Sequence, residues 1–339
     1  MLRTFNYSEV EKNLEKYTLV DVRSPSEFAE STITGAVNIA LFSDEERAHV
    51  GTVYKQEGKA AAVRLGIGYV SKSLPGIYAA FEKLQQKQKK FLIFCARGGM
   101  RSESLGGLLL TVGFPVIKLE KGYKGYRQHI IEALPALINK ADFITLYGKT
   151  GTGKTEILRE LAKLECNVLD LEGYAGHRGS VFGLVGLGHQ PSQKQFETRL
   201  YDALRDMKPG YIFTEGESRR IGSVYMPNEL ADRMAQGRKI LIEADIETRK
   251  EITLREYVGG NFDKKGAIAA LNALVRYIGK EKITEYTALI EAGSYGYVVE
   301  ELMIKYYDVV YNNLKEGYEQ SFINKSAEET AQKIVKSIL

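Results

Sequence analysis

Two stretches of this 339-residue chain carry residues whose types and spacing could do chemistry. The first is Gly148-Lys-Thr-Gly151-Thr-Gly153-Lys154-Thr155, which fills every position of the phosphate-binding pattern Gly-x4-Gly-Lys-Thr. Its glycines let the backbone bend until successive N–H groups point inward at an anion. The helix expected from Thr155 to Lys163 would aim its positive end at the same point. Lys154 could then reach terminal phosphates, and the Thr155 hydroxyl could hold a magnesium ion. The second stretch is Cys95-Ala-Arg97-Gly-Gly-Met-Arg101-Ser102. Here a thiol sits in a glycine loop with two arginines, where backbone N–H groups, a helix terminus and positive charge favour the reactive thiolate. An inert core cysteine would sit in an apolar run instead. Cys166, in Leu164-Glu-Cys-Asn-Val168, enters a strand without such a loop and is read as core.

The elements around these stretches are of one kind. Phe143 to Tyr147 is a short apolar strand leading into the phosphate loop, and Lys90 to Cys95 is a strand ending on the cysteine. Tyr17 to Val22, Gly35 to Ile39 and Pro115 to Leu119 read as further extended pieces before residue 135. Helices are expected over 76–86, from Ser102 to about Val112, and over 130–138. Past the phosphate loop, Cys166 to Leu171, Tyr211 to Thr214 and Lys239 to Ala244 are strands. Strands alternating with helices predict an α/β fold, a parallel sheet covered on both faces, in each of two domains, 1–135 and 141–339. From Gly259 onward the pattern is largely helical, with helices over 267–278 and 327–339 and a strand over 305–311 that carries Tyr306, Tyr307 and Tyr311.

In parallel sheets ligands bind at the carboxyl ends of the strands. Asp170, Glu215 and Glu217 fall at or just beyond such ends, where an acid can orient magnesium or a nucleophile. Arg178, Arg219 and Arg220 lie on the same motif loops and could neutralise phosphate charge. His177 is equally well read as a polar residue satisfied within the fold. Two segments stay open. Ser43 to Gly66, with its mixed charges, is either a surface excursion or a cover for the cysteine site. Lys121-Gly-Tyr-Lys-Gly-Tyr-Arg127 interleaves cations with aromatics, which suits RNA phosphates and bases or a solvated approach to a linker.

Composition narrows the class. The chain is 44% hydrophobic and 27% charged, with a formal charge of +4, which permits nucleic acid without demanding it. No apolar run approaches the roughly 20 residues of a membrane span. Two cysteines make no disulfide framework, and the N-terminus has no secretory pattern, so a cytoplasmic protein is expected.

The first domain resembles the rhodanese family. The resemblance rests on Asp21-Val-Arg-Ser-Pro-Ser-Glu-Phe28, on Ile33-Thr-Gly-Ala-Val-Asn-Ile39 and on the Cys95 loop. It implies sulfur or selenium carried on Cys95. The loop departs from single-domain sulfurtransferases, which usually place four residues between cysteine and arginine. Five stand here, 96–100, the spacing of dual-specificity phosphatases. Spacing alone does not separate a chalcogen carrier from a phosphatase.

A rhodanese-like domain followed by a P-loop NTPase-like domain resembles the tRNA 2-selenouridine synthase family across nearly the whole chain. Beyond the two motifs, the match includes Asp170-Leu-Glu-Gly-Tyr-Ala-Gly-His-Arg-Gly-Ser180, Gln190-Pro-Ser-Gln-Lys-Gln-Phe-Glu197 and Glu217-Ser-Arg-Arg-Ile-Gly222. Members often have Trp after the cysteine, where this chain has Ala96. The resemblance implies replacement of sulfur by selenium in wobble 2-thiouridine of tRNA, with geranyl diphosphate and selenophosphate as co-substrates. An S-geranyl intermediate would form first. A partner enzyme that supplies selenophosphate and the absence of a membrane partner are implied as well. In that scheme Gly148, Gly151, Gly153, Lys154 and Thr155, with Arg219 and Arg220, hold a diphosphate, and Cys95 with Arg97 and Arg101 serves the selenium step. Two other classes remain: a rhodanese-fold phosphatase fused to a P-loop kinase, and a nucleotide-regulated tRNA-binding protein.

Overall fold

The structure, a computed structural model, describes residues 2–85, 89–260, 262–310 and 317–338. The chain divides into two compact units, Met1–Leu134 with Glu197–Arg199, and Pro135–Phe196 with Leu200–Leu339.

In the first unit, β1 (Arg3–Phe5), β2 (Tyr17–Asp21), β3 (Val37–Asn38), β4 (Lys90–Phe94) and β5 (Val116–Leu119) form one parallel sheet in the order β1-β5-β4-β2-β3. The central strand explains the pattern. Phe91, Leu92, Ile93 and Phe94 are all buried, because helices cover both faces of a parallel sheet and leave no polar side for alternation to mark. Phe81, Phe91 and Phe114 pack edge to face with ring centroids 5.0–6.0 Å apart. The β2–β4 register sets Asp21 opposite Phe94, so the chain leaves the sheet at Cys95 beside the end of β2.

Two expectations change here. The helix expected over 76–86 is the last part of a 27-residue helix, Lys59–Gln85. Pro75-Gly76 looks like a break, but the apolar positions Ala62, Gly66, Ile77 and Phe81 stay on the buried side of one continuous helix. The basic and aromatic run Lys121 to Arg127 is neither a linker nor a base-stacking platform. It opens the Gly122–Lys140 helix, and Tyr123 and Tyr126 are buried in the core.

In the second unit, β6 (Asp142–Tyr147), β7 (Asn167–Leu169), β8 (Tyr211–Glu215), β11 (Arg238–Glu243) and β12 (Gln320–Ile323) form a parallel sheet ordered β12-β11-β6-β8-β7. Between β8 and β11 in sequence, β9 (Arg220–Ile221) and β10 (Val224–Tyr225) make a small antiparallel ribbon. Ile144, Leu146, Phe213, Ile240 and Ile242 meet Ile157, Leu158 and Leu161 of the Lys154–Lys163 helix and Ile334 of the Ala327–Ile338 helix in one core. Cys166 packs partly buried against that core.

The strand expected over 305–311 is wrong. Met303–Tyr307 is a π-helical turn and Asp308–Val310 continues it as helix. A π turn adds one residue to the helical circuit, which lets the adjacent Tyr306 and Tyr307 both face the core. The strand sits later, at β12. The helix expected over 267–278 is two pieces, Lys264–Asn272 and Val275–Ile278. Gln86, Tyr311 and Leu339, which end expected elements, lie outside the described residues.

Candidate active site

Cys95 lies where β4 turns into the Met100–Thr111 helix. Its thiol is 3.2 Å from the buried Ser102 hydroxyl and 3.8 Å from the Gly99 carbonyl, which also accepts from Ser102 at 3.2 Å. The loop is held from behind by backbone. Tyr123 N donates to Cys95 O at 2.8 Å, and Lys124 N donates to Ala96 O at 2.9 Å. Gly122 makes that approach workable: at φ +55 it is left-handed, and a Cβ there would stand 2.1 Å from Cys95 O.

Charge is arranged around the thiol in two layers. Arg101 donates to both carboxylate oxygens of Glu27, at 2.6 and 3.1 Å. Burial disfavours the Arg101 cation, but Glu27 outweighs it and Cys95 and Asp21 add to the gain, so its pKa moves up. Burial pushes Glu27 up, yet the Arg101 hydrogen bond and charge prevail and hold it below its ordinary value. Behind them, buried Arg23 grips Asp21, donates to Ser31 O at 2.6 Å and lies 4.2 Å over the Tyr123 ring. Arg97 is exposed at the mouth.

Above Cys95 opens a cavity of about 950 Å³. Its walls come from the Asp44–Gln56 and Lys59–Gln85 helices, through Val50, Tyr54, Val63, Ile67, Val70 and Leu74. Arg47, Lys55, Lys59, Arg97 and Arg101 ring it with positive charge. Ser43 to Gly66 therefore covers the cysteine site and is more than a surface excursion.

The second site begins where β6 ends. Gly148, Gly151 and Gly153 take φ of +156, +79 and +84 in the loop that opens the Lys154–Lys163 helix. A Cβ on Gly148 would meet Ile242 O at 2.3 Å, which binds the loop tightly to β11. Lys154 Nζ lies over the loop, donating to Gly148 O at 2.9 Å and Lys149 O at 3.3 Å. Outer struts brace it. Asn324 donates to Thr152 O at 2.8 Å, Arg249 donates to Thr150 O at 2.9 Å, and Asp308 accepts from both Arg249 and Lys149.

Facing Lys154 and Thr155 is a group of carboxyls. Thr155 Oγ1 is 3.4 Å from Glu172 Oε2, and Glu215 accepts from Glu172 N at 2.8 Å. Burial pushes Glu172 up to about 9, helped by the charges of Glu217 and Glu215. Burial and Asp170 push Glu215 up to about 8. Burial also raises Glu217, against the pull of Lys154 and a hydrogen bond from Glu172. Glu172 thus holds a proton at neutral pH and donates it toward Glu217, whose oxygens face Lys154. Among the described residues no cluster of three or more His, Cys, Asp or Glu is arranged to hold a metal ion. The Thr155 hydroxyl is compatible with magnesium that takes its other ligands from phosphate and water, and Glu172 and the unpartnered buried oxygen of Glu215 beside it could join only on losing their protons.

Residues 141–338 match the family model described as the tRNA 2-selenouridine synthase AAA domain, and residues 6–129 match the rhodanese-like domain model. The chain belongs to the tRNA 2-selenouridine synthase family. Among relatives of that name, one from Marinobacter nauticus is 33% identical over 330 residues, covering 88% of each chain. Another, from Alcanivorax borkumensis, is 36% identical over 279 residues, covering 81% of this chain and 72% of the relative. Among solved structures, a rhodanese-related protein from Thermoplasma volcanium is 20% identical over 38% of this chain and 93% of its own, with a TM-score of 0.25. The fold is α/β in both halves of this family member, rhodanese-like first and P-loop-like second.

The remaining motif residues take other places. Asp170 accepts from Gly173 N at 2.8 Å and caps the short Leu171–Ala175 helix. Arg178 donates to Val185 O at 2.8 Å and lies 4.6 Å over the Tyr257 ring, pinning the glycine loop that contains it. His177 is buried against Gly183 and Gly222, with burial and then the Arg178 charge lowering its pKa, so it is a neutral packing ring at pH 7. Arg219 is exposed and paired with Asp232 at 2.7 Å, and Arg220 donates to Gly222 O at 2.8 Å. Sequence reasoning missed Glu172. Its one signal was a second acid two residues beyond Asp170, past the end of β7.

Proposed function

We propose that this chain replaces sulfur by selenium in the wobble 2-thiouridine of tRNA, by S-geranylation on the P-loop domain followed by selenation at Cys95. The observation that carries this reading is the Cys95 cavity. A phosphatase would need a polar pit with a free arginine for phosphate, whereas here both outer nitrogens of Arg101 are taken by Glu27 and the walls are hydrocarbon. Such walls suit a base that arrives with a hydrocarbon group on its sulfur, and the cationic rim suits RNA phosphates.

In the first step the thiouridine sulfur attacks the allylic carbon of geranyl diphosphate. The S–C bond forms, the C–O bond to diphosphate breaks, and the base loses its N3 proton. The loop N–H groups and Lys154 stabilise the charge that grows on the departing diphosphate. Glu217, the carboxylate that accepts from Glu172 and faces Lys154, receives the proton. Magnesium held by Thr155 would supply further neutralisation of that charge. In the second step the selenium of selenophosphate bonds to C2, the C2–S bond breaks and geranylthiol leaves; water then cleaves the P–Se bond, releasing inorganic phosphate and leaving selenium on C2. Cys95 handles the selenium or the displaced thiol, with Ser102 fixing its sulfur and Arg101 supplying a nearby positive charge.

The test is nucleoside mass spectrometry of 2-thiouridine tRNA incubated with the protein, geranyl diphosphate and selenophosphate, each omitted in turn. Selenouridine in the full mixture, and S-geranyl-2-thiouridine without selenophosphate, are expected. Unchanged 2-thiouridine with folded protein in every mixture would refute the proposal.

A further inference from the structure

A second apolar cavity, of about 70 Å³, lies within the P-loop unit and reaches the loop itself at Thr150. Its lining is almost entirely carbon. Phe182, Tyr257, Phe262, Tyr295 and Val299 form the sides, all partly open to solvent, over Val298, Leu302 and Met303. The phosphate loop packs directly on this lining: a Cβ on Gly151 would stand 2.8 Å from Thr253 Oγ1 and 2.9 Å from Met303 Cε. The cover is the glycine-punctuated loop. Phe182 and Val185 belong to it, and Arg178 clamps it by stacking on Tyr257 and donating to Val185 O. An anion cradle and a hydrocarbon slot therefore share a wall.

Each half constrains the ligand. The loop takes two or more linked phosphates. The slot would bury apolar surface at a gain of roughly 25 cal/mol per Å². It offers little to the polar edge of a nucleobase, which would lose water there without regaining hydrogen bonds. We infer that the cavity beside Thr150 receives one branched unit of the hydrocarbon tail of a prenyl diphosphate whose phosphates lie on the Gly148–Thr155 loop, the rest of the tail lying along its open side between Phe182 and Val299. Arg178, by clamping the glycine loop over Tyr257, is a positioning residue for that tail. The inference rests on reading the P-loop as a diphosphate site and adds where the rest of the substrate goes.

Calorimetry on the full chain tests it, with geranyl diphosphate, inorganic diphosphate and ATP as probes. Geranyl diphosphate should bind at least tenfold tighter than inorganic diphosphate. Val299→Glu and Phe182→Asp, at half-exposed positions, should each remove that advantage while inorganic diphosphate binds within twofold of wild type, which also reports an intact fold. Equal affinity for geranyl and inorganic diphosphate in the wild type would overturn the inference. So would ATP binding tightest and being the ligand weakened by the two variants. Product analysis separates the two readings. If S-geranyl-tRNA forms equally in wild type and Val299→Glu, the tail site is wrong and the reaction stands. If no S-geranyl-tRNA forms but the tail-dependent affinity is lost in the variants, the site stands and the reaction is wrong.

Discussion

Glu27 holds Arg101 through two parallel hydrogen bonds, 2.6 and 3.1 Å long, and so fixes the guanidinium beside Cys95. The same carboxylate accepts from Ser24 N at 3.2 Å at the start of the Pro25–Glu30 helix. One side chain thus ties the turn after β2 to the helix that begins behind the thiol loop, and any loosening of it moves the arginine.

Glu27→Gln keeps the shape and removes the charge. The expected cost in stability is small, about 1 kcal/mol for a partly exposed pair. The expected loss in selenation is larger, roughly tenfold or more, because the cation beside the sulfur is no longer held in place. S-geranylation should be unchanged. Because Glu27 is held below its ordinary value of 4.5, the pair's contribution is full above that pH and is lost as pH falls through the lower folded value. Single-turnover selenation of pre-geranylated tRNA and S-geranylation of unmodified 2-thiouridine tRNA check the activities, and thermal midpoints of wild type and Glu27→Gln followed as pH falls below 4.5 check the stability.

Cys95→Ala and Lys154→Ala should separate the two steps. Cys95→Ala should abolish selenation and leave S-geranylation intact. Lys154→Ala should slow S-geranylation about a hundredfold by removing one donor to the leaving diphosphate, while tRNA geranylated beforehand is still selenated. Loss of both activities in Cys95→Ala, or normal geranylation in Lys154→Ala, would break this division of labour.

Much of this was legible in sequence because it is local. The P-loop needs a strand, three glycines, a lysine and a threonine within a dozen residues, and all are contiguous. Cys95 announced itself the same way. What stayed hidden depends on distant partners. Glu172 keeps its proton because it is buried and because Glu217 and Glu215, more than forty residues away, set negative charge beside it, and its only mark in sequence is that it follows Asp170 by two residues. Asp170 reads as a ligand or as a helix cap with equal ease, since both follow a strand end; only the bond to Gly173 N decides. The apolar stripe of the Lys59–Gln85 helix looks the same in sequence whether it faces a core or, as here, lines an open cavity over a thiol. Tyr306 and Tyr307 read as strand because an added residue in a helical turn has no sequence signature.

Asn324 is a further position whose importance is structural and distant. It is buried, donates to Thr152 O at 2.8 Å and accepts from Thr330 at 3.1 Å. Asn324→Ala leaves a buried carbonyl and a buried hydroxyl without these partners, which should cost about 2 kcal/mol. The Thr152 carbonyl belongs to the phosphate loop, so inorganic diphosphate binding should weaken together with the thermal midpoint. A variant that melts early yet binds diphosphate as wild type does would limit Asn324 to a folding role.

The carboxyls facing Lys154 make the P-loop domain sensitive to alkali. Glu172 at about 9 and Glu215 at about 8 are both raised in the folded state above an ordinary value of 4.5. The folded protein therefore holds protons that the unfolded chain gives up, and stability present below pH 4.5 declines as pH rises through 8 to 9. Urea midpoints should fall between pH 7 and 9.5. Glu215→Gln keeps the acceptor for Glu172 N and removes one ionisation, so it should flatten the decline and stabilise the protein at the alkaline end. Diphosphate binding without magnesium should weaken over the same range, because each carboxyl that ionises sets a negative charge near the anion. With magnesium present that loss should shrink, since the cation offsets the new charge. Midpoints independent of pH in the wild type, or a Glu215→Gln slope equal to it, would show that these carboxyls are already ionised in the fold.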